Sequence, residues 1–243
     1  MPRAQRLKVH DQPSAPSRTP RLRTAMRNPL RHAVDKTQSP VEQAYNYILQ
    51  SILSGELTPG MRVPAEAVAE TLGISRMPVR DALRRLEGDG AVMIFANRGA
   101  SVAEYSRDDV VQLIEMRAVL EGLAAKVALP NIGEVELDEL EQLLRRMDRS
   151  ADDLIKWMFY HDDFHNYLTS ISNRPLLMRQ TERMRVMLRP YYRQYYSRSR
   201  ELEIYGLEHQ KIIDAIRKAD PSHLEDIVRA HALKNVDKIA ALA

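Results

Sequence analysis

Apolar positions recur along most of this chain at helical spacing, and the clearest pattern runs from residue 64 to 90, PAEAVAETLGISRMPVRDALRRLEGDG. Val68 and Leu72 mark one face of a short helix that Gly73 ends. Ser75 is placed as the N-cap of a second helix, its hydroxyl set to accept a backbone N–H near Pro78. In that second helix Val79, Ala82, Leu83 and Leu86 form a stripe to be buried. Arg76, Arg80 and Arg84 project from the other side, tempered by Asp81 and Glu87. Two short helices joined by a glycine-containing turn predict a helix-turn-helix. Ala91 to Phe95 is a short apolar run, Ala96-Asn97-Arg98-Gly99 is a turn signal, and Ala100 to Ala103 can return as a second strand. The prediction is a β-hairpin wing carrying Arg98 and Gly99 at its tip.

Upstream, Ser39 and Pro40 open a helix with Ala44, Ile48, Ile52 and Leu53 on one face and Gly55 beyond its end. From Arg107 onward six helical patterns follow, over 107–129, 134–148, 151–171, 175–196, 200–219 and 221–242. Pro190 is expected to kink or split the fourth. The predicted fold class is mainly α: a winged helix-turn-helix over 39–105, then an all-α six-helix bundle over 107–243 able to enclose a pocket.

Charge changes this picture at one end. Residues 1–38 hold nine Arg or Lys against Asp11 and Asp35, while the remaining 205 residues carry a net charge of −4 out of the overall +3. That segment is rich in Arg, Pro and Ser and predicts a disordered basic tail. It reads equally as an arm adding phosphate contacts or as an extension ahead of Met26. The chain has no cysteine, which excludes disulfides and thiolate metal sites. No run approaches the roughly 20 apolar residues of a membrane span. A soluble cytoplasmic protein without a membrane partner is expected.

Candidate chemistry lies where polar residues interrupt apolar stripes. The third bundle helix reads Leu154, Met158, His161, His165, Leu168; the fifth Tyr205, His209, Ile212, Ile216; the sixth Leu224, Val228, His231, Asn235, Ile239. Four of the seven histidines thus point inward from three helices. Converging imidazoles suit a divalent metal such as Zn²⁺ or Ni²⁺, and the i, i+4 spacing of His161 and His165 places both on one face. The competing reading is a set of hydrogen-bonded core histidines. In the first bundle helix Arg117 and Glu121 also fall on the apolar stripe, four residues apart, as an ion pair would. Met184 to Tyr196 alternates Arg with Tyr, consistent with either a nucleic-acid surface or a dimer or interdomain surface.

LSGELTPGMRVPAEAVAETLGISRMPVRDALRRLEGDGAV followed by NRGASVAEYS closely resembles the winged helix-turn-helix of the GntR family of bacterial transcription regulators. The resemblance implies that Arg76 and Arg80 meet bases or adjacent phosphates, with Gly99 at the wing tip. The helix start, the basic helix face and the wing turn add Ser75, Arg84 and Arg98 to the candidate DNA-binding set. Where some members carry an arginine after the Glu of the first helix, this chain has Ala67.

HDDFHNYL, EHQKIIDAI and IVRAHALKNV resemble the signature segments of the FCD domain, the helical effector domain of the fatty-acid-regulator-like branch, with six helices pointing to its shorter, VanR-like group. In that family one Asp and three His hold a divalent metal that helps bind a carboxylate effector. His165, His209 and His231 match the three histidines, and His161 stands at the Asp position, so either His161 ligates or Asp162 supplies the oxygen. The resemblance also makes Arg117 a candidate for the effector carboxylate. Asn235 becomes a candidate to bind effector or orient His231.

The implied whole is a homodimeric regulator, more a repressor than an activator by family habit. It would bind double-stranded operator DNA under control of a small organic acid. The rivals are a metal-dependent hydrolase, whose general base would have to be Asp162, Asp163 or Glu208, and an architectural DNA-binding protein with an unresponsive bundle.

Overall fold

The computed structural model describes residues 38–198 and 202–243, the side chains of 202–205 excepted. The basic tail therefore lies, but for Gln38, outside the described residues, as does the Tyr205 side chain.

Helix α1 (Pro40–Ser54) starts with a capping box: the Glu42 N–H donates to Ser39 Oγ at 3.3 Å and the Ser39 N–H to the Glu42 carboxylate at 3.2 Å. It buries Ala44, Ile48, Leu49 and Ile52 against α2 (Ala65–Leu72) and α3 (Arg76–Gly88). Gly73 takes the left-handed conformation, φ 66°, that turns the chain between them. Strands β1 (Arg62–Val63), β2 (Val92–Phe95) and β3 (Gly99–Val102) form an antiparallel sheet ordered β1-β3-β2. Two-residue β1 is too short to show a period in sequence.

Two local expectations are corrected. Ser75 occupies the N-cap, but its hydroxyl makes no cap hydrogen bond, because Pro78 at the third helical position has no N–H to give. Gly99 opens β3 opposite Phe95, leaving Ala96–Arg98 as the wing tip.

The C-terminal part is helical throughout: α4 (Arg107–Ala128), α5 (Glu134–Asp148), α6 (Leu154–Ile171), α7 (Pro175–Arg198), α8 (Leu202–Arg217), α9 (Pro221–Leu233) and α10 (Val236–Ala240). Its core centres on Trp157 and Phe164 of α6, with Leu140 and Met147 of α5, Ile114 of α4 and Ile212 and Ile213 of α8. Each such side chain, fully buried, contributes about 1.5–3 kcal/mol. α4 lies along α9, and α5 bridges α6 and α8. The sixth predicted pattern is divided at Asn235, whose backbone (φ −124°, ψ 22°) is not helical, so α10 is a separate turn-and-a-half. The fourth is not split: α7 runs through Pro190, which is itself buried among Leu188, Tyr191 and Tyr192. Burial of that apolar face outweighs the hydrogen bond the proline cannot make. No helix of the described residues is long and apolar enough to cross a membrane.

Helix α7 also joins the two parts. Its Val186 packs into the core of the winged domain. Tyr191 Oη accepts the Tyr105 N–H at 2.7 Å, and Tyr105 Oη donates to the Gly90 carbonyl at 2.8 Å. Gly90 takes the left-handed conformation, φ 76°, and a Cβ there would stand 2.7 Å from Met187 Cε and 2.9 Å from Tyr105 Oη, so a side chain at this seam would be strained and Met187 would have to shift.

Candidate functional site

Three helices bring four imidazoles together. His161 and His165 on α6, His209 on α8 and His231 on α9 each offer a ring nitrogen, and these nitrogens lie within 4.8 Å of one another. His165 Nε2 and His209 Nε2 are 3.2 Å apart. His231 Nδ1 is buried without a hydrogen bond. Burial lowers the His161 pKa against the opposing pull of Asp162. Burial, reinforced by neighbouring positive or protonatable groups, holds His165 and His231 well below the usual histidine range. These three rings are therefore neutral at pH 7, with lone pairs free to ligate. Four nitrogen donors without a thiolate are a set that Zn²⁺, Ni²⁺, Co²⁺ or Cu²⁺ can use, and the residues fit a divalent metal of that class.

Asp162, the alternative ligand, faces a different partner. Its carboxylate accepts from Arg189 Nε at 3.0 Å, is ion-paired to Arg189 Nη2 at 2.9 Å, and stands 3.7 Å from His161 Nδ1. Burial opposes its ionisation, but Arg189 and His161 prevail and hold it well below the usual carboxylate range. The convergent set is four histidines.

Beside the cluster is a cavity of about 20 Å³ free space, room for a group the size of a water, lined by Arg117, His161, His231, Tyr192, Tyr196, Glu208, Lys234 and Asn235. Arg117 donates to Tyr192 Oη at 2.7 Å while its buried Nε has no hydrogen bond. Burial disfavours its charge, yet Tyr192 and Glu121 keep it firmly protonated. The predicted Arg117–Glu121 pair exists only at 3.6 Å. Glu121 Oε1 instead takes Arg185 from α7, at 2.7 and 3.0 Å. Its Oε2 is 3.9 Å from His165 Nδ1. Glu208 at the mouth is tied to Lys211 (2.9 Å) and Lys234 (2.8 Å). A larger open groove of about 440 Å³ between α5, α6 and α7 gathers Glu139, Asp163 and Glu182 around Arg146, away from the imidazoles.

Sequence reasoning missed Arg185, Arg189, Tyr192 and Tyr196. The Arg-Tyr run of α7 is neither a nucleic-acid surface nor solvated on this side: Arg185, Tyr191, Tyr192 and Tyr196 are buried. Residues 185, 189, 192 and 196 recur at helical spacing, which is the signal that could have marked them as one inward stripe.

On the winged domain, α3 exposes Arg76, Arg80 and Arg84 opposite the buried Val79, Ala82, Leu83 and Leu86. Arg76 is bound to Glu66 of α2 at 3.1 Å, Arg84 is 3.8 Å from Asp81, and Arg80 has no ion pair among the described residues. Ser75, Arg98 and Gly99 are all exposed. A basic helix face beside a β-hairpin suits a duplex.

Known proteins share both parts. The family model for bacterial regulatory proteins of the gntR family matches residues 40–102, and that for the FCD domain matches residues 112–234. The HTH-type transcriptional regulator YdhC of Bacillus subtilis (strain 168) is 26% identical over 201 residues, 82% of this chain and 90% of that protein. The HTH-type transcriptional repressor RspR of Escherichia coli (strain K12) is 25% identical over 200 residues, 82% of this chain and 88% of its own. The solved structure of E. coli McbR/YncC superposes with a TM-score of 0.75 at 24% identity, covering 83% of this chain and 97% of that one. These relatives are transcription regulators, not enzymes. With its winged helix-turn-helix and its helical C-terminal domain both matched, the chain belongs to the GntR family of DNA-binding transcription regulators, in the branch that carries an FCD domain.

Proposed function

We propose that this regulator holds a divalent metal, Zn²⁺ or Ni²⁺, on His161, His165, His209 and His231, and that a small carboxylate bound beside it changes operator affinity. The observation that carries the reading is the convergence of four imidazoles beside a cavity that Arg117 lines, its buried Nε without a hydrogen bond and 3.6 Å from Glu121 Oε1. Bound there, the metal would supply positive charge for an anion. Arg117 would meet the carboxylate through its fork, and Asn235 at the α9–α10 break would donate a further hydrogen bond. Glu121 and Arg185 would hold His165 and α7 in place.

The tightness of the cavity supports a coupling to DNA. An effector larger than a water needs the walls to move, and Tyr192 and Tyr196 are wall residues on α7. The same helix carries Val186 into the winged domain and Tyr191 onto Tyr105. A ligand that favours the open arrangement then shifts the placement of the DNA-binding helices by its difference in affinity for the two states. We read the regulator as a homodimer, in keeping with two-fold operators. The exposed Met116, Val119 and Leu123 on one face of α4 support that reading. The name of RspR favours repression. The winged domain would bind through Ser75, Arg76, Arg80, Arg84, Arg98 and Gly99. A hydrolase is disfavoured because Asp162 and Glu208 are both tied to cations and Asp163 lines the separate groove away from the imidazoles.

The test is metal analysis with thermal unfolding after chelation, on adding Zn²⁺ or Ni²⁺, for the wild type and His209→Ala. The expected result is stoichiometric metal and a wild-type stabilisation of about 2.7 kcal/mol when free metal exceeds the dissociation constant a hundredfold, lost in the variant. No metal and no shift would sink the site. In the metal-loaded protein, Arg117→Met is expected to keep the metal-induced shift and to lose more than tenfold in affinity for small carboxylates, measured by calorimetric titration. Unchanged carboxylate affinity would remove Arg117 from the site.

A further inference from the structure

Helix α3 exposes one residue that its charged face does not account for. Met77, in the first turn, is 62% exposed. At 3.6 residues per turn it points nearly opposite Val79, Ala82, Leu83 and Leu86, with Arg80 and Arg84 following it along the same face. Its neighbour Arg76 is drawn toward α2 by Glu66 at 3.1 Å. Of the first-turn side chains, Met77 is thus the one that projects along the centre of the outward face in the free protein. The N-terminal residues of a recognition helix are those that meet base edges in the major groove.

A thioether side chain there makes no hydrogen bond to a base edge worth counting, yet it is flexible and apolar. The major groove offers one apolar group, the C5-methyl of thymine. We propose that Met77 is a specificity-determining residue that recognises a thymine methyl in each half of the operator, next to the base that Arg80 reads. Burying one methyl is worth about 0.8 kcal/mol, which sets the discrimination at about fourfold per half-site.

The experiment begins with selection of duplexes from a randomised pool by the full-length wild type. Each thymine of the selected half-site is then replaced by deoxyuridine, which differs by that methyl alone, and the duplexes are titrated with wild type and Met77→Ala. Met77 is exposed at a helix terminus, and alanine favours helix, so the variant keeps its fold. Expected is one thymine position where the wild type loses about fourfold on deoxyuridine substitution, the loss disappearing in Met77→Ala. Met77→Leu keeps it. A selected half-site without thymine, a wild type indifferent to every substitution, or a penalty that persists in Met77→Ala each overturns the proposal.

Discussion

Arg80→Ala is expected to lower specific operator affinity by about 2–6 kcal/mol, because a bidentate arginine–guanine contact discriminates by about 1–3 kcal/mol and a two-fold dimer makes it twice. Arg80 is the residue chosen because it is exposed one turn into α3 and has no ion pair among the described residues to lose. Its neighbours differ: Arg76 must leave Glu66, and Arg84 lies further along the helix near Asp81. Non-specific affinity should fall far less, since it depends on phosphate charge rather than on a base edge. Arg84→Ala should show the opposite pattern, weakening operator and scrambled duplex alike and reducing the salt slope by about one per protomer. Anisotropy titrations of a selected operator and a scrambled duplex at several salt concentrations separate the two. An operator preference unchanged in Arg80→Ala would remove that residue from base reading.

The helices and their ends were legible in the sequence where local chemistry decides them. Ser39 with Glu42 and Ser106 with Asp109 are three residues apart, and both pairs form capping boxes. The histidines were legible because helical spacing placed them on apolar stripes, and packing α6, α8 and α9 together brings them within ligand range. What the sequence hid is non-local. Glu121 had Arg117 one turn away, and the i, i+4 rule pairs them. The closer partner is Arg185, 64 residues on, because α7 packs beside α4 with its guanidinium aimed at the carboxylate. Arg117 is thereby left to Tyr192, 75 residues away, and to the cavity. The proline at residue 190 does not divide its helix for the same cause: burial of α7 on two neighbours outweighs a local preference. The break at Asn235 had no Gly or Pro to announce it.

Arg185→Met should cost about 3–5 kcal/mol of folding stability, as much as truncating a large core side chain. The side chains of Arg185 and Glu121 are 3% and 4% exposed, so neither charge can be returned to water without opening the bundle. Removing Arg185 leaves Glu121 with Arg117 Nε at 3.6 Å as its nearest cation, and takes donors from the Asp162 carbonyl and from Asn166 Oδ1, both at 3.1 Å. Glu121→Met should be as costly, since it strands Arg185 beside Arg117. The double variant removes opposite charges together and should cost less than the sum of the two, by up to about 3 kcal/mol of coupling. Urea unfolding in chelating buffer excludes any contribution from metal and reads the loss as a lower midpoint at unchanged slope. A loss below about 1 kcal/mol would mean that Arg185 reaches solvent and that the pair is not buried in solution. Because Glu121 also stands 3.9 Å from His165 Nδ1, the same variants should weaken metal binding even where the fold survives, by about 10–100-fold. A variant that loses stability but holds metal as tightly as the wild type would separate the ion pair from the imidazole cluster and leave His165 oriented by its packing alone.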